Sequence, residues 1–260
     1  MEISGARVWV TGASSGIGAA LAQELADRGA SVAISARNAD KLRAVAVGRM
    51  HVEPLDVTDR AATVAAGAAV RAALGGLDVA VLNAGTWSRF RPENWDSEAF
   101  ADQLQTNLMG TVHALEAVVP TMLAEGRGRI VGTASVAGYR GIPGAEAYGA
   151  TKAALLNLFE SLRGSLGPRG IVVQTVAPGF VKTPMTDRNT FPMPFMISPE
   201  EAARAIVDGM AKDKAEIVFP LPMMLMMKFA RVIPVRAWTA ATAAMTRRGL
   251  RREAQEKSAP

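Results

Sequence analysis

From its start the chain alternates between short, almost wholly apolar runs and longer segments that carry an apolar stripe. The run at residues 7–10 leads into a glycine-rich turn, and over 17–28 the apolar positions take helical spacing. Short apolar runs return at 31–35, 52–55, 78–82, 129–133 and 171–176, and the Ala-rich stretches between them are long enough for crossover helices. These runs show little alternation of apolar with polar residues, the pattern of strands buried on both faces. Strand and helix in alternation predict an α/β domain: a doubly wound parallel sheet with helices on both faces. The 260 residues suffice for one such domain, and no repeat or low-complexity linker divides them.

Composition narrows the chemistry. The chain has no cysteine, which excludes a disulfide framework, a thiolate metal site and a cysteine nucleophile. The two histidines, His51 and His113, lack metal-ligand spacing, so each is expected to be structural and no metal is expected. No basic stretch followed by an apolar run and a small-residue cleavage site opens the chain, and a cytoplasmic address is the expectation. The net charge of +5 gathers toward the end, at Arg247, Arg248, Arg251 and Arg252. No groove-reading motif accompanies it, so nucleic acid is not an expected partner.

The turn after the first strand reads Thr11-Gly12-Ala13-Ser14-Ser15-Gly16-Ile17-Gly18. At a strand-to-helix junction, such a turn can hold a pyrophosphate against the backbone N–H groups of a helix start. Gly12 permits the tight turn, Gly16 removes a side chain where a dinucleotide approaches, and Gly18 brings the helix close to the strand.

With this T-G-x-x-x-G-x-G spacing the chain resembles the short-chain dehydrogenase/reductase family, and further motifs follow in that family's order. Asp56 and Val57 follow the third apolar run, and Asn83-Ala84-Gly85 the fourth. Asn107 falls in a predicted helix, Ser135 follows the fifth run, and Tyr148-Gly149-Ala150-Thr151-Lys152 comes next; Pro178, Gly179, Val181 and Thr183 close the series. Leu82 departs from the pattern, standing where the family often has a second asparagine. The resemblance implies a Rossmann-like fold, an NAD(P)-dependent activity on CH–OH or C=O groups, and a homodimer or homotetramer. It also implies dinucleotide contacts from Gly12, Ser14, Ser15, Gly16, Ile17, Gly18, Asp56, Val57, Asn83, Ala84, Gly85, Tyr148, Lys152, Pro178, Gly179, Val181 and Thr183. Asp56 would face the adenine, and Asn107 would hold a water linking Lys152 to solvent.

The second strand ends Ser35-Ala36-Arg37. Ala36 in place of an acid removes a repulsion from a 2′-phosphate, and Arg37 offers that phosphate a charge-assisted contact, so NADP(H) is favoured, with NAD(H) the alternative. Tyr148 and Lys152, four apart in the predicted helix 146–166, emerge on one face. An ammonium beside a phenol lowers its pKa from about 10, suiting Tyr148 to general acid/base work, while the Ser135 hydroxyl can bond a substrate oxygen as charge develops there. The expected reaction is interconversion of an alcohol with a ketone or aldehyde. A non-catalytic NADP-binding regulatory protein, or a membrane-surface interaction protein on the same fold, is the alternative.

Past the Pro-Gly turn, Met185, Phe191, Met193, Phe195 and Met196 serve equally as a lid over an apolar substrate or as core plugs. We assign residues 1–216 to the dinucleotide-binding and catalytic domain, 217–246 to an apolar and basic extension, and 247–260 to a flexible tail. The extension, from Phe219 to Met227 and on through Lys228, Arg231, Arg236 and Trp238, is too short and proline-broken to span a bilayer. Packing on the core, on a partner subunit or on a membrane surface are its three open uses.

Overall fold

The computed structural model describes residues 1–187, 189 and 191–258, with side chains described as far as Leu250. Seven parallel strands run β1 (Arg7–Thr11), β2 (Ser31–Ser35), β3 (His51–Val52), β4 (Val79–Leu82), β5 (Gly128–Thr133), β6 (Ile171–Pro178) and β7 (Glu216–Phe219). Their order across the sheet is β3-β2-β1-β4-β5-β6-β7. The helices between them are α1 (Gly16–Asp27), α2 (Ala39–Ala46), α3 (Arg60–Leu74), α4 (Ser97–Leu104), α5 (Gly110–Glu125), α6 (Glu146–Leu166) and α7 (Pro199–Ala211), and α8 (Leu221–Val232) and α9 (Val235–Ser258) follow the last strand. The predicted doubly wound parallel sheet is the fold of this chain.

The weak alternation along the strands has a direct cause. Val8, Val10, Val32 and Ile34 point to one face, where Leu21 and Leu25 of α1 and Ile206 and Met210 of α7 cover them. Trp9, Ala33 and Ala80 point to the other, beneath Val70 of α3, Val118 and Met122 of α5, and Phe159 of α6. Both faces are therefore apolar, and burial at about 25 cal/mol per Å² on each holds three layers together. Trp9 satisfies its one polar atom inside this core by donating from Nε1 to Ser35 Oγ at 2.8 Å.

Four expectations shift. The third strand is His51–Val52 and not 52–55: Glu53 and Leu55 still donate backbone bonds to Ile34 and Ala36, but regular strand pairing with β2 ends at Val52. Asn107 lies in a π-helical stretch, Gln105–Met109, inserted between α4 and α5, and not in an ordinary helix. The sheet also has a seventh strand, which straddles the expected boundary after residue 216 and pairs along β6 from Thr175↔Glu216 to Pro178↔Phe219. Residues 247–258, expected as a tail, continue α9, and the side chains of Arg251 and Arg252 lie outside the described residues.

Beyond β7, α8 is fastened to the body by polar and apolar contacts together. Met223, Met227 and Ala230 are buried, while Lys228 pairs with Glu216 at 2.7 Å. Tyr139 donates its hydroxyl to the same carboxylate, and the Arg231 guanidinium lies 5.3 Å from the centre of the Tyr139 ring. Trp238 docks the first turns of α9 by donating from Nε1 to the Gly141 carbonyl at 2.8 Å.

Candidate active site

Because every strand is parallel, all of their carboxyl ends lie along one edge, and β1 and β4 meet there at the point where strand order reverses. Thr11, Asn83, Ser135 and Gly179 are thereby brought to the same edge. Thr11 ties β1 to β4: its Oγ1 accepts from the backbone N–H groups of Asn83 at 3.1 Å and Ala84 at 3.2 Å. The Asn83 amide in turn donates to the carbonyls of Thr11 and Gly12, both at 3.3 Å. Sequence reasoning gives Thr11 no part beyond opening the motif; its hydroxyl is what locks the two strand ends in register.

The glycine turn fits a dinucleotide. Gly12 has φ +69°, and a Cβ there would stand 2.6 Å from the Ala84 Cα, so both conformation and space demand glycine. A Cβ on Gly18 would lie 2.3 Å from the Gly12 carbonyl oxygen, so the helix sits directly on the turn. The start of α1 carries no acidic residue, and the Ser15 side chain does not cap it, so its N–H groups remain available to an anion. Across this turn lies Thr183, whose Cγ2 comes within 2.9 Å of where a Cβ on Gly16 would be. At the end of β2, Arg37 and Asp56 are both exposed. Partial burial works to raise the Asp56 carboxyl, but hydrogen bonds from the Thr58 N–H and hydroxyl and the charge of Arg37 hold it below its ordinary value. Val57 is buried, and its carbonyl meets Nδ1 of His113 at 2.9 Å, which gives that histidine its structural place.

Of the four residues singled out for chemistry, Asn107 and Lys152 meet beside Gly85. A side chain on Gly85 would come within 3.2 Å of Asn107 Oδ1 and 3.6 Å of Lys152 Nζ. Lys152 is 3% exposed and donates to the Thr133 carbonyl at 2.8 Å, with its Nζ 5.6 Å from the centre of the Tyr148 ring. Burial lowers its pKa to about 8. Tyr148 keeps partial exposure along the cleft, but the packing around its hydroxyl raises the phenol pKa, and the Ser135 hydroxyl pulls it the other way. The lowering expected from Lys152 is thus not the dominant effect. Ser135 is oriented by accepting from the Ala137 N–H at 3.1 Å and reaching the Pro178 carbonyl at 3.3 Å.

Asn107 is completely buried, and its side chain is committed: Oδ1 accepts from the Thr86 N–H at 2.7 Å, and Nδ2 donates to the Thr86 carbonyl at 3.0 Å and to Thr151 Oγ1 at 3.1 Å. These bonds clamp the loop after β4 to α6, a link through Thr86 and Thr151 that no sequence spacing announces. Over the cleft, Phe191 packs edge-on to Trp87 with ring centroids 6.3 Å apart and against Phe180 at 6.1 Å. Met185, Phe191, Phe195 and Met196 are all more than a third exposed, so they do not plug the core. A hollow of about 710 Å³ lined by Ala150, Ala153, Val235 and Trp238 opens on the opposite face of α6 from Tyr148 and Lys152, away from this chemistry.

A glycine turn at the switch point of a doubly wound sheet, with a Ser, Tyr and Lys set beside it, defines a dinucleotide-dependent oxidoreductase. Residues 6–192 match the family described as short chain dehydrogenase. An uncharacterized oxidoreductase of Myxococcus xanthus is 39% identical over 240 residues, covering 90% of this chain and 94% of the relative. The gluconate 5-dehydrogenase of Gluconobacter oxydans is 36% identical over 193 residues, 72% of this chain and 75% of that one. In fold, a short-chain dehydrogenase/reductase of Burkholderia phymatum, solved in complex with NAD, superimposes with a TM-score of 0.79 at 23% identity over 88% of this chain and 93% of its own. The chain belongs to the short-chain dehydrogenase/reductase family and is an NAD(P)-dependent oxidoreductase.

Proposed function

We propose that the protein uses NADP(H) to interconvert an apolar alcohol with its ketone or aldehyde, with Tyr148 as the proton donor and acceptor. The observation that carries this reading is the meeting of Asn107 and Lys152 beside Gly85, with Lys152 Nζ 5.6 Å from the centre of the Tyr148 ring, at the edge where the glycine turn opens. When bound, the dinucleotide supplies or accepts the hydride. Gly12, Ser14, Ser15, Gly16, Ile17 and Gly18 would hold its pyrophosphate, and Arg37 its 2′-phosphate. Asp56, Val57, Asn83, Ala84, Gly85, Pro178, Gly179, Val181 and Thr183 would line the rest.

The chain's own groups then divide the work. Ser135 Oγ donates to the substrate oxygen and stabilises the negative charge that develops there. Tyr148, whose phenol burial holds above its ordinary value, gives its hydroxyl proton to that oxygen in reduction and takes it back in oxidation. Lys152 holds the phenol in place and returns the proton. Its value of about 8 lets it exchange protons near neutral pH, where an ordinary lysine stays charged. Asn107 positions the loop at Gly85 through its side-chain bonds to Thr86, and would hold the relay water that links Lys152 to solvent. Trp87, Phe180 and Phe191 give the substrate side an apolar wall.

Titration of NADPH and NADH by fluorescence, followed by a screen of carbonyl compounds of graded apolarity, tests the reading. Tyr148→Phe is expected to lower turnover by about 10²–10⁴-fold, far more than it weakens dinucleotide binding. Full turnover by the variant would exclude Tyr148 as the acid.

A further inference from the structure

The two sides of α8 are both apolar. Met223, Met227 and Ala230 face the body, while Leu221, Leu225, Met226, Phe229 and Val232 face outward, with Leu225, Phe229 and Val232 exposed at 59%, 67% and 73%. Leu221, Leu225 and Phe229 stand four apart, so they form one row along the helix. Lys228, paired to Glu216, and Arg231, stacked over Tyr139, fix the rotation of α8, so this row is held in solvent by the fold. A water-facing row of this size is unfavourable unless something covers it.

Charge says what the cover is. Between Glu216 and Glu253 there is no acidic residue, while Lys228, Arg231, Arg236, Arg247, Arg248, Arg251 and Arg252 are all basic. This stretch accounts for more than the whole net charge of +5. An apolar helix face within a uniformly basic segment matches lipid chains below an anionic headgroup layer. Among the described residues, no helix is long and apolar enough to cross a membrane, so the contact is one of lying on the surface.

We propose that the outer face of α8 docks the protein on anionic lipid bilayers, with Leu221, Leu225 and Phe229 entering the interface and Arg236, Arg247 and Arg248 meeting the headgroups. Met223, on the inner side of the same helix, packs on the Pro178–Gly179 turn: a Cβ on Gly179 would stand 2.7 Å from its Cγ. Docking would therefore set the cleft about one helix diameter, roughly 10 Å, from the lipid surface.

The test is co-sedimentation of the full chain with sucrose-loaded vesicles, either pure phosphatidylcholine or phosphatidylcholine with phosphatidylglycerol. The wild type is expected to partition at least about tenfold more strongly onto the anionic vesicles and to be released by salt. The double variant Leu225→Glu/Phe229→Glu, altered only at exposed positions, is expected to stay in the supernatant with an unchanged circular dichroism spectrum. Equal binding by wild type and a folded variant overturns the proposal, as does wild type that ignores lipid charge, a comparison that stands even if the variant misfolds. Light scattering supplies the remaining arm: a wild-type dimer that the double variant dissociates would show that a second copy covers the face, and would also overturn it.

Discussion

At the scale of single residues, Lys152 is the most informative group. Its folded-state pKa of about 8 lies below the 10.5 of a free lysine, so between these values the unfolded chain binds more protons than the folded one. The cost of burying its charge is fully present below pH 8 and is relieved as pH rises above it. Relative to Lys152→Met, the wild type should therefore gain roughly 2 kcal/mol of unfolding free energy between about pH 7 and 9.5, measured in urea. A difference that stays flat across that window would mean the ammonium is not strained. Arg37 offers a second measurement. Arg37→Ala should weaken NADPH binding by about tenfold or more, the size of a lost charge-assisted hydrogen bond, and leave NADH binding as it was. Equal loss for both dinucleotides would remove the argument for NADP.

At the scale of elements, the junction of β1 and α1 is the least forgiving. Gly18→Ala would drive a methyl group onto the Gly12 carbonyl and to within 2.6 Å of Asn83 Nδ2, groups that belong to the two strand ends themselves. Overpacking of this kind costs about 1–3 kcal/mol. The expected outcome is a lower melting temperature together with lost dinucleotide binding; a variant that binds normally would show that the helix can step back. The glycine spacing and its place between strand and helix were readable from the sequence. The early end of β3 had no such local signal, because backbone bonds from Glu53 and Leu55 continue along β2 beyond it. The π-helical stretch at Asn107 carried no local signal, because it is set by Asn107 spanning Thr86 on one side and Thr151 on the other.

At the scale of the whole molecule, the sheet is buried between two apolar layers, whereas α9 is held mainly at its first turns through Trp238. Opening free energies should follow that division. In hydrogen exchange, amides of β1, β4 and β5 are expected to be the slowest and those of α9 beyond Thr242 to be exchanged early. Protection of α9 equal to that of the central strands would show that something in solution holds it. Vesicles that slow exchange in α8 would identify the cover.

By itself the sequence determined the order of strands and helices, the dinucleotide turn and the Ser135, Tyr148 and Lys152 set. Each of these is a local matter: a run of apolar residues, a glycine spacing, two positions one helical turn apart. Only the tertiary structure decided the rest. The seventh strand, four residues long, exists because β6 offers it an edge. Burial overrode the expected direction of the Tyr148 pKa, since desolvation depends on everything packed around the hydroxyl. Thr86, Thr151, Trp87 and Phe180 entered the site through contacts between residues far apart in the chain. The outward face of α8 was legible as apolar but not as exposed, because which side of a helix meets water is settled by what the fold places against it.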